Sequence, residues 1–325
     1  MTPLNQVLQI RDQIIYIYKK YERFIMPVLK FLLVMSILLL VNNTMGYAKA
    51  LNKTTVILMM SVIGAFLPSN LIMLGTMTVV SIHAVIGSLE AGGIVVAMLL
   101  ITYLLFVRLY PTESLFIIGI VIAYKFNLPY IIPLLAGLFS SLAAVVSVGI
   151  GTIIWYVTPQ FVMMMQGQAS ELSDIVEVMN ANLLALQGMF RTDPTILASV
   201  TILSAVLLTV HLIKRQNIDY AGYIAVLVGA VMNMVGFLFA IILLKVDVGI
   251  IPLILATIIC ALIATVAQFF AKVADYSRAE TVEFEDAENY YYVKVVPKIL
   301  VKKPEKQIKH IYTNDEIQYK SHENY

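Results

Sequence analysis

The sequence predicts an all-α polytopic membrane protein with about eight transmembrane helices, one re-entrant hairpin and a small C-terminal cytoplasmic β-hairpin. Three observations carry that expectation. The chain is 60% hydrophobic and 13% charged, with a mean hydropathy of +0.87. Apolar runs of about eighteen residues or more recur, the length a helix needs to cross hydrocarbon. The composition then flips to polar after Arg278. A barrel would instead need strands of about ten residues with alternating polarity, and these runs are uniformly apolar.

Taken in order, residues 1–24 read as an amphipathic interfacial helix. Val7, Ile10, Ile14, Ile17 and Tyr21 recur at spacings of three and four, with Arg11, Asp12, Lys19 and Lys20 turned elsewhere. The segment is either an elbow lying in the cytoplasmic interface or a plain helical lead-in to the first span. Residues 25–278 form the transmembrane domain, with long apolar runs at 25–42, 71–88, 91–107, 141–163, 196–213, 220–244 and 250–271. Two shorter runs, 55–67 and 114–126, stop at proline-containing breaks, "FLPSN" (66–70) and "FNLPY" (126–130).

Orientation follows from lysine and arginine in short loops. The segment 166–195 holds Arg191 against Glu171, Asp174, Glu177 and Asp193, and is expected outside, either capping the mouth of a pathway or resting on the membrane surface. The basic N-terminal segment and the tail, 279–325, are expected in the cytoplasm, in a cell membrane. That parity needs 55–67 as a short eighth span and 114–139 as a hairpin that enters and leaves on one side. Lys49 and Lys53 then fall outside, against the rule.

A backbone break at membrane depth is tolerated only where protein or water surrounds it. Pro68 and Asn70 in the first break, and Asn127 and Pro129 in the second, are therefore candidate path-lining residues. Asn127 is expected to satisfy freed backbone groups through its side chain. Lys125 is a functional candidate as an ionisable group at depth, or it snorkels to the interface. Glu90 either pairs with Lys125 or occupies a solvated turn. The units 55–107 and 114–163 share a hydropathy pattern that suggests an inverted repeat, or a chance likeness of apolar segments. His83 and His211 lie within spans, where a hydrogen bond to a neighbouring helix is the commoner role.

The tail places Val282 and Phe284, then a polar turn, then Tyr290–Val296, a β-hairpin signal. Phe284, Tyr290, Tyr291, Tyr292 and Lys294 are candidate partner-binding residues, because a lone two-stranded hairpin needs something to pack on. Its acidic first half and lysine-rich second half, through Lys302, Lys303, Lys306 and Lys309, are expected to pair across strands. Residues beyond about 305 are expected to be disordered.

Several chemistries are absent from the sequence. There is no G-x-x-x-x-G-K-[ST], H-E-x-x-H or G-x-S-x-G, so an enzyme is not expected. The net charge of +2 and the single cysteine, Cys260, give no sign of nucleic-acid binding, cofactor or metal. No carboxylate lies inside a long span, which argues against ion-coupled transport and for an energising partner.

The run "ADYSRAETVEFEDAENYYYVKVVPK", 274–298, resembles the tail of an uncharacterised family of clostridial Gram-positive multi-pass membrane proteins. In that family an acidic "FED" precedes a tyrosine cluster and a "VK-x-VPK" ending. The "RDQIIYIYKKY" opening and the "FLP" break are similar too. The resemblance implies a hypothetical protein or a permease component of an ATP-driven transporter, and it brings no functional residue. Gly149 and Gly151 of "SVGIGTIIWY" are assigned to close helix packing. The expected function is permease-like, with a separate ATPase at the cytoplasmic face. The alternative is a non-transporting scaffold whose tail recruits an envelope or secretion complex. The lipid bilayer is the one partner common to both, and a homo-oligomer is compatible with either.

Overall fold

The structure, a computed structural model, describes residues 3–166, 175–271, 280–285 and 290–295. It comprises two units, Met1–Lys272 and Val273–Tyr325. In the first, the described helices are α1 (Pro3–Thr44), α2 (Thr54–Phe66), α3 (Ser69–Gly87), α4 (Leu89–Thr102, continued by a π turn over Tyr103–Val107), α5 (Pro111–Lys125), α6 (Ile131–Phe139), α7 (Ala144–Met165), α8 (Ile175–Thr192), α9 (Pro194–Lys214), α10 (Ala221–Leu244) and α11 (Ile250–Ala271). Seven are long and apolar enough to cross a membrane, namely α1, α3, α4 with its π turn, α7, α9, α10 and α11. The chain is thus an all-α multi-pass membrane protein in its first unit.

The expected interfacial helix and first span are one continuous helix, α1, which passes through Pro27 without a break. Its N-terminal part reaches the end of α11, where the Arg11 guanidinium stands 5.6 Å from the Phe269 ring. Further along, Lys30 Nζ donates to Leu67 O (2.9 Å) and Asn42 Nδ2 donates to Leu51 O (3.0 Å). Residues late in α1 therefore meet residues early in or before α2, and the two helices run antiparallel.

The same reasoning orients the remaining helices. A Cβ on Gly87 would meet Tyr47 and Met165, so the ends of α1, α3 and α7 share one face of the bundle. We call this the distal face. The α2–α3 turn, the start of α7 and the end of α11 lie at the opposite, proximal face. Gly236 meets Ile202 and Gly229 meets Val210, making α9 and α10 antiparallel. Gly222 meets Gln268, making α10 and α11 antiparallel.

Of the apolar clusters that result, two are large. One gathers α1, α2, α3 and the Ile117, Ile118 and Val121 face of α5. The other gathers α7, α9, α10 and α11 around Ile120 of α5, Tyr130 just before α6, and Leu134 and Leu138 of α6. The pair α5–α6 is shared between them. Gly151 of α7 is the position that permits this. A Cβ there would stand 2.2 Å from Ile120 Cγ2 and 2.9 Å from Ile117 O, so only glycine allows α5 and α7 to approach so closely. Gly149 has no such role, since its Cβ would meet Val200 at an ordinary 3.7 Å.

In the second unit β1 (Glu280–Glu285) pairs antiparallel with β2 (Tyr290–Val295). The register sets Glu283 against Tyr292, Phe284 against Tyr291 and Thr281 against Lys294, so the acidic residues of β1 face tyrosines or valine and not lysines. The expected turn at 286–289, Lys302, Lys303, Lys306, Lys309 and the expected disorder beyond 305 lie outside the described residues, as does the first part of the expected external segment.

Candidate functional site

α5 and α6 fold back on one another. Ser141 Oγ donates to Glu113 Oε1 (2.8 Å) and Ser147 Oγ to Glu113 O (2.7 Å), placing the start of α5 beside the residues that follow α6. A Cβ on Gly119 would meet Ile132 Cδ1 at 3.3 Å, as two antiparallel arms require. α5 runs parallel to α7, with Glu113 near Ser147, Ile117 near Gly151 and Tyr124 stacked on Trp155 (5.4 Å between ring centroids, 11° between planes). Both ends of the hairpin therefore lie at the proximal face.

The apex stops halfway along the bundle. Trp155 is near the middle of the 22-residue α7, and Cys260, whose Sγ approaches Leu128 O at 3.7 Å, is near the middle of the 22-residue α11. α6 has 9 residues, about 13 Å of helix at 1.5 Å per residue, too short to traverse hydrocarbon.

The residues of "FNLPY" explain how the chain turns there. Asn127 has φ +57°, the left-handed conformation that asparagine tolerates better than other residues bearing a Cβ. The Leu128 N–H bonds to Ala123 O (2.9 Å) and the Asn127 N–H to Tyr124 O (3.0 Å), the paired bonds of a Schellman C-cap. Pro129 follows, unable to continue a helix. Orphan carbonyls of α5 are thus satisfied by backbone. Asn127 acts through its φ angle and makes no side-chain hydrogen bond among the described residues, contrary to the sequence expectation.

Around the apex stands a belt of aromatic and hydroxyl groups. Tyr124 meets Tyr156 edge-on (5.7 Å), the Tyr156 hydroxyl lies 3.1 Å from Ser199 Oγ, and Tyr130 packs on Phe237 (5.4 Å). Lys125, Phe126 and Asn127 at the tip are exposed, Phe126 to 67%, whereas Pro129 and Tyr130 are buried. Lys125 has no ion-pair partner among the described residues.

The remaining expected site residues are elsewhere. Pro68 caps α3 and Asn70 is exposed in its first turn, both at the proximal end, where Lys30 holds Leu67. "FLPSN" is the turn between the antiparallel helices α2 and α3, and Lys30 of α1 closes it through Leu67 O. The two breaks do not converge, although α2–α3–α4 and α5–α6–α7 do run in opposite senses. Glu90 lies in the first turn of α4 at the distal face, buried to 6% exposure, and accepts from Ser88 Oγ (2.7 Å). It neither occupies a solvated turn nor pairs with Lys125, which sits about ten helical residues, roughly 15 Å, nearer the middle of the bundle. His83, fully buried, accepts from the Ala48 N–H at Nδ1 (3.2 Å), pinning the α1–α2 loop. Sequence reasoning missed Tyr124, Trp155, Tyr156 and Ser199, whose only signal was aromatic and hydroxyl residues inside apolar runs.

A groove of about 640 Å³ between α4 and α7, lined by Leu105, Phe106, Tyr110 and Leu142, is apolar and lies at the proximal end, away from the apex. Among the described residues no cluster of histidine, cysteine, aspartate or glutamate is arranged to hold a metal ion. No protein family, curated protein or solved structure matches the chain. The functional reading therefore rests on the chemistry of the site itself.

Proposed function

We propose that the protein is a permease-like component of a bacterial cytoplasmic membrane, energised by a separate ATPase at the proximal, cytoplasmic face. In this reading α1, α2, α3, α4, α7, α9, α10 and α11 cross the bilayer, both termini are cytoplasmic, and α5–α6 is a re-entrant hairpin. The observation that carries it is the exposed tip, Lys125–Asn127, halfway along the helices. A lysine in hydrocarbon costs at least about 2.5 kcal/mol, and exposed irregular backbone does not face lipid, so a tip at that depth belongs beside water. The reading requires a vestibule that descends from the distal face to the tip and supplies that water. The resemblance of the 274–298 run points the same way, as does the lack of a carboxylate relay.

The test is a single cysteine at Asn127 in a Cys260→Ser background, in sealed vesicles. The reading predicts labelling by a small neutral water-soluble thiol reagent from the distal side. Silence at Asn127, with a positive tail control after permeabilisation, refutes it.

The exposed Tyr290, Tyr291 and Val293 of β2 favour a second reading, a scaffold that binds a partner through its tail. Deletion of 279–325 separates the two, because a scaffold loses all function while a permease keeps its distal vestibule.

A further inference from the structure

We infer that the hairpin tip is an anion-binding site, and that the ligand it takes is an amphipathic organic anion. The inference rests on the permease reading above and names the class of ligand for that same site.

Charge at the middle of the bundle is one-sided. The carboxylates nearest the spans lie at helix ends: Glu90 in the first turn of α4, Glu113 in the first turn of α5, Asp193 before α9 and Asp247 after α10. Lys125 stands alone at depth, exposed and without an ion pair among the described residues. A cation with no counter-ion in a narrow aqueous cleft walled by apolar helices favours an anion, because the low-dielectric walls focus its field.

The neighbouring groups fit the rest of such a ligand. Phe126 beside Lys125 presents an exposed aromatic face, and Asn127 adds an amide with both donor and acceptor capacity that the protein itself leaves unused. The hydroxyl of Tyr156, bonded to Ser199, lies on the α7 and α9 side of Tyr124. A cation, an apolar plate and adaptable hydrogen-bonding groups together suit a carboxylate, sulfonate or phosphate carried on an apolar body.

The test uses full-length protein with Cys260→Ser and Asn127→Cys in sealed vesicles of zwitterionic lipid. Labelling rates are measured from the distal side with a neutral, a sulfonate-bearing and a trimethylammonium-bearing methanethiosulfonate reagent, normalised to a free thiol. With Lys125 present the sulfonate-to-ammonium ratio should exceed the free-thiol ratio about tenfold, as expected for one poorly screened charge nearby. Lys125→Gln should abolish the excess and Lys125→Arg should keep it; because a neighbouring cation also raises the thiolate fraction, all three reagents slow in Lys125→Gln and the ratio is the readout. Added benzenesulfonate should slow the neutral reagent with Lys125 and not with Lys125→Gln. If protection appears only when phosphatidylglycerol is included, the anion is a lipid headgroup and not a soluble solute. If no reagent labels Asn127→Cys, the permease reading itself fails. If the neutral reagent labels but the ratio is indifferent to Lys125→Gln, the vestibule stands and the anion site is overturned.

Discussion

Gly151→Ala is the sharpest test of how the hairpin is seated. The new methyl would stand 2.2 Å from Ile120 Cγ2, 2.9 Å from Ile117 O and 3.2 Å from Ile117 Cα. The side chain of Ile120 can turn aside, but the backbone of Ile117 cannot, so α5 and α7 must separate by several tenths of an ångström over a tightly packed contact. Overpacking of that kind costs about 1–3 kcal/mol. Replacing glycine by alanine in a helix returns up to about 1 kcal/mol, leaving a net loss of about 1–2 kcal/mol. At about 2–4 °C per kcal/mol for a chain of this size, the Tm should fall by about 2–8 °C. Cys260 makes the assay simple. It is the only cysteine and is fully buried beside the hairpin apex, so a thiol-reactive fluorogenic dye in detergent reports when that region opens. Gly149→Ala, whose methyl meets Val200 at 3.7 Å, serves as the control and should leave the Tm unchanged or raised. Equal Tm values for Gly151→Ala, Gly149→Ala and the parent would refute the close parallel contact of α5 with α7.

Three further outcomes follow from single contacts. Asn127→Gly should preserve the Tm, whereas Asn127→Val should lower stability by about 1–2 kcal/mol, because a β-branched residue resists the left-handed conformation at φ +57°. Ser88→Ala removes the N-cap of α4, which accepts from the Ala91 N–H at 3.2 Å and donates to Glu90, and should cost about 1 kcal/mol in dye-detected unfolding, with Ser88→Thr, which keeps the hydroxyl, restoring most of it. Asn233 Nδ2 donates to Thr257 Oγ1 at 2.8 Å between α10 and α11, and a double-mutant cycle with Asn233→Leu and Thr257→Val should return a coupling near 0.6 kcal/mol, the usual size for such bonds within a membrane bundle.

The long spans were legible in the sequence because each is a long apolar run, and of the two glycines assigned to close helix packing, Gly149 and Gly151, only Gly151 makes such a contact. The pair of breaks was not. "FLPSN" and "FNLPY" share phenylalanine, proline and asparagine, and hydropathy cannot distinguish a turn held against a neighbouring helix from a left-handed cap beside the middle of the bundle. What separates them is tertiary: α2 lies along α1 with Lys30 holding its end, whereas α5 lies along α7 and α6 is too short to cross. The role of Asn127 was misread for a related reason. Its residue type fits both a side-chain bond and a left-handed cap, and only the backbone bonds from Leu128 and Asn127 decide between them. The aromatic belt around the tip was invisible because Tyr124, Trp155 and Tyr156 read as ordinary members of apolar helices until the parallel packing of α5 on α7 brought them together. In the tail the strands were foreseeable from composition, but their register was not, and it places tyrosine rather than lysine opposite Glu283 and Glu285.

The central claim is that α5 and α6 return to the face they leave. Cysteines introduced together as Glu113→Cys and Ser141→Cys, in the Cys260→Ser background, test it directly in native membranes. The glutamate tip meets the serine hydroxyl at 2.8 Å, so the shorter cysteines should be joined rapidly by a short bifunctional thiol cross-linker, visible as a mobility shift after cleavage between the two positions. Each single variant should be modified from the proximal side alone. Were α5 and α6 instead two halves of one interrupted span, the two positions would lie on opposite faces about 30 Å apart, no short cross-link would form, and the single variants would be modified from opposite sides.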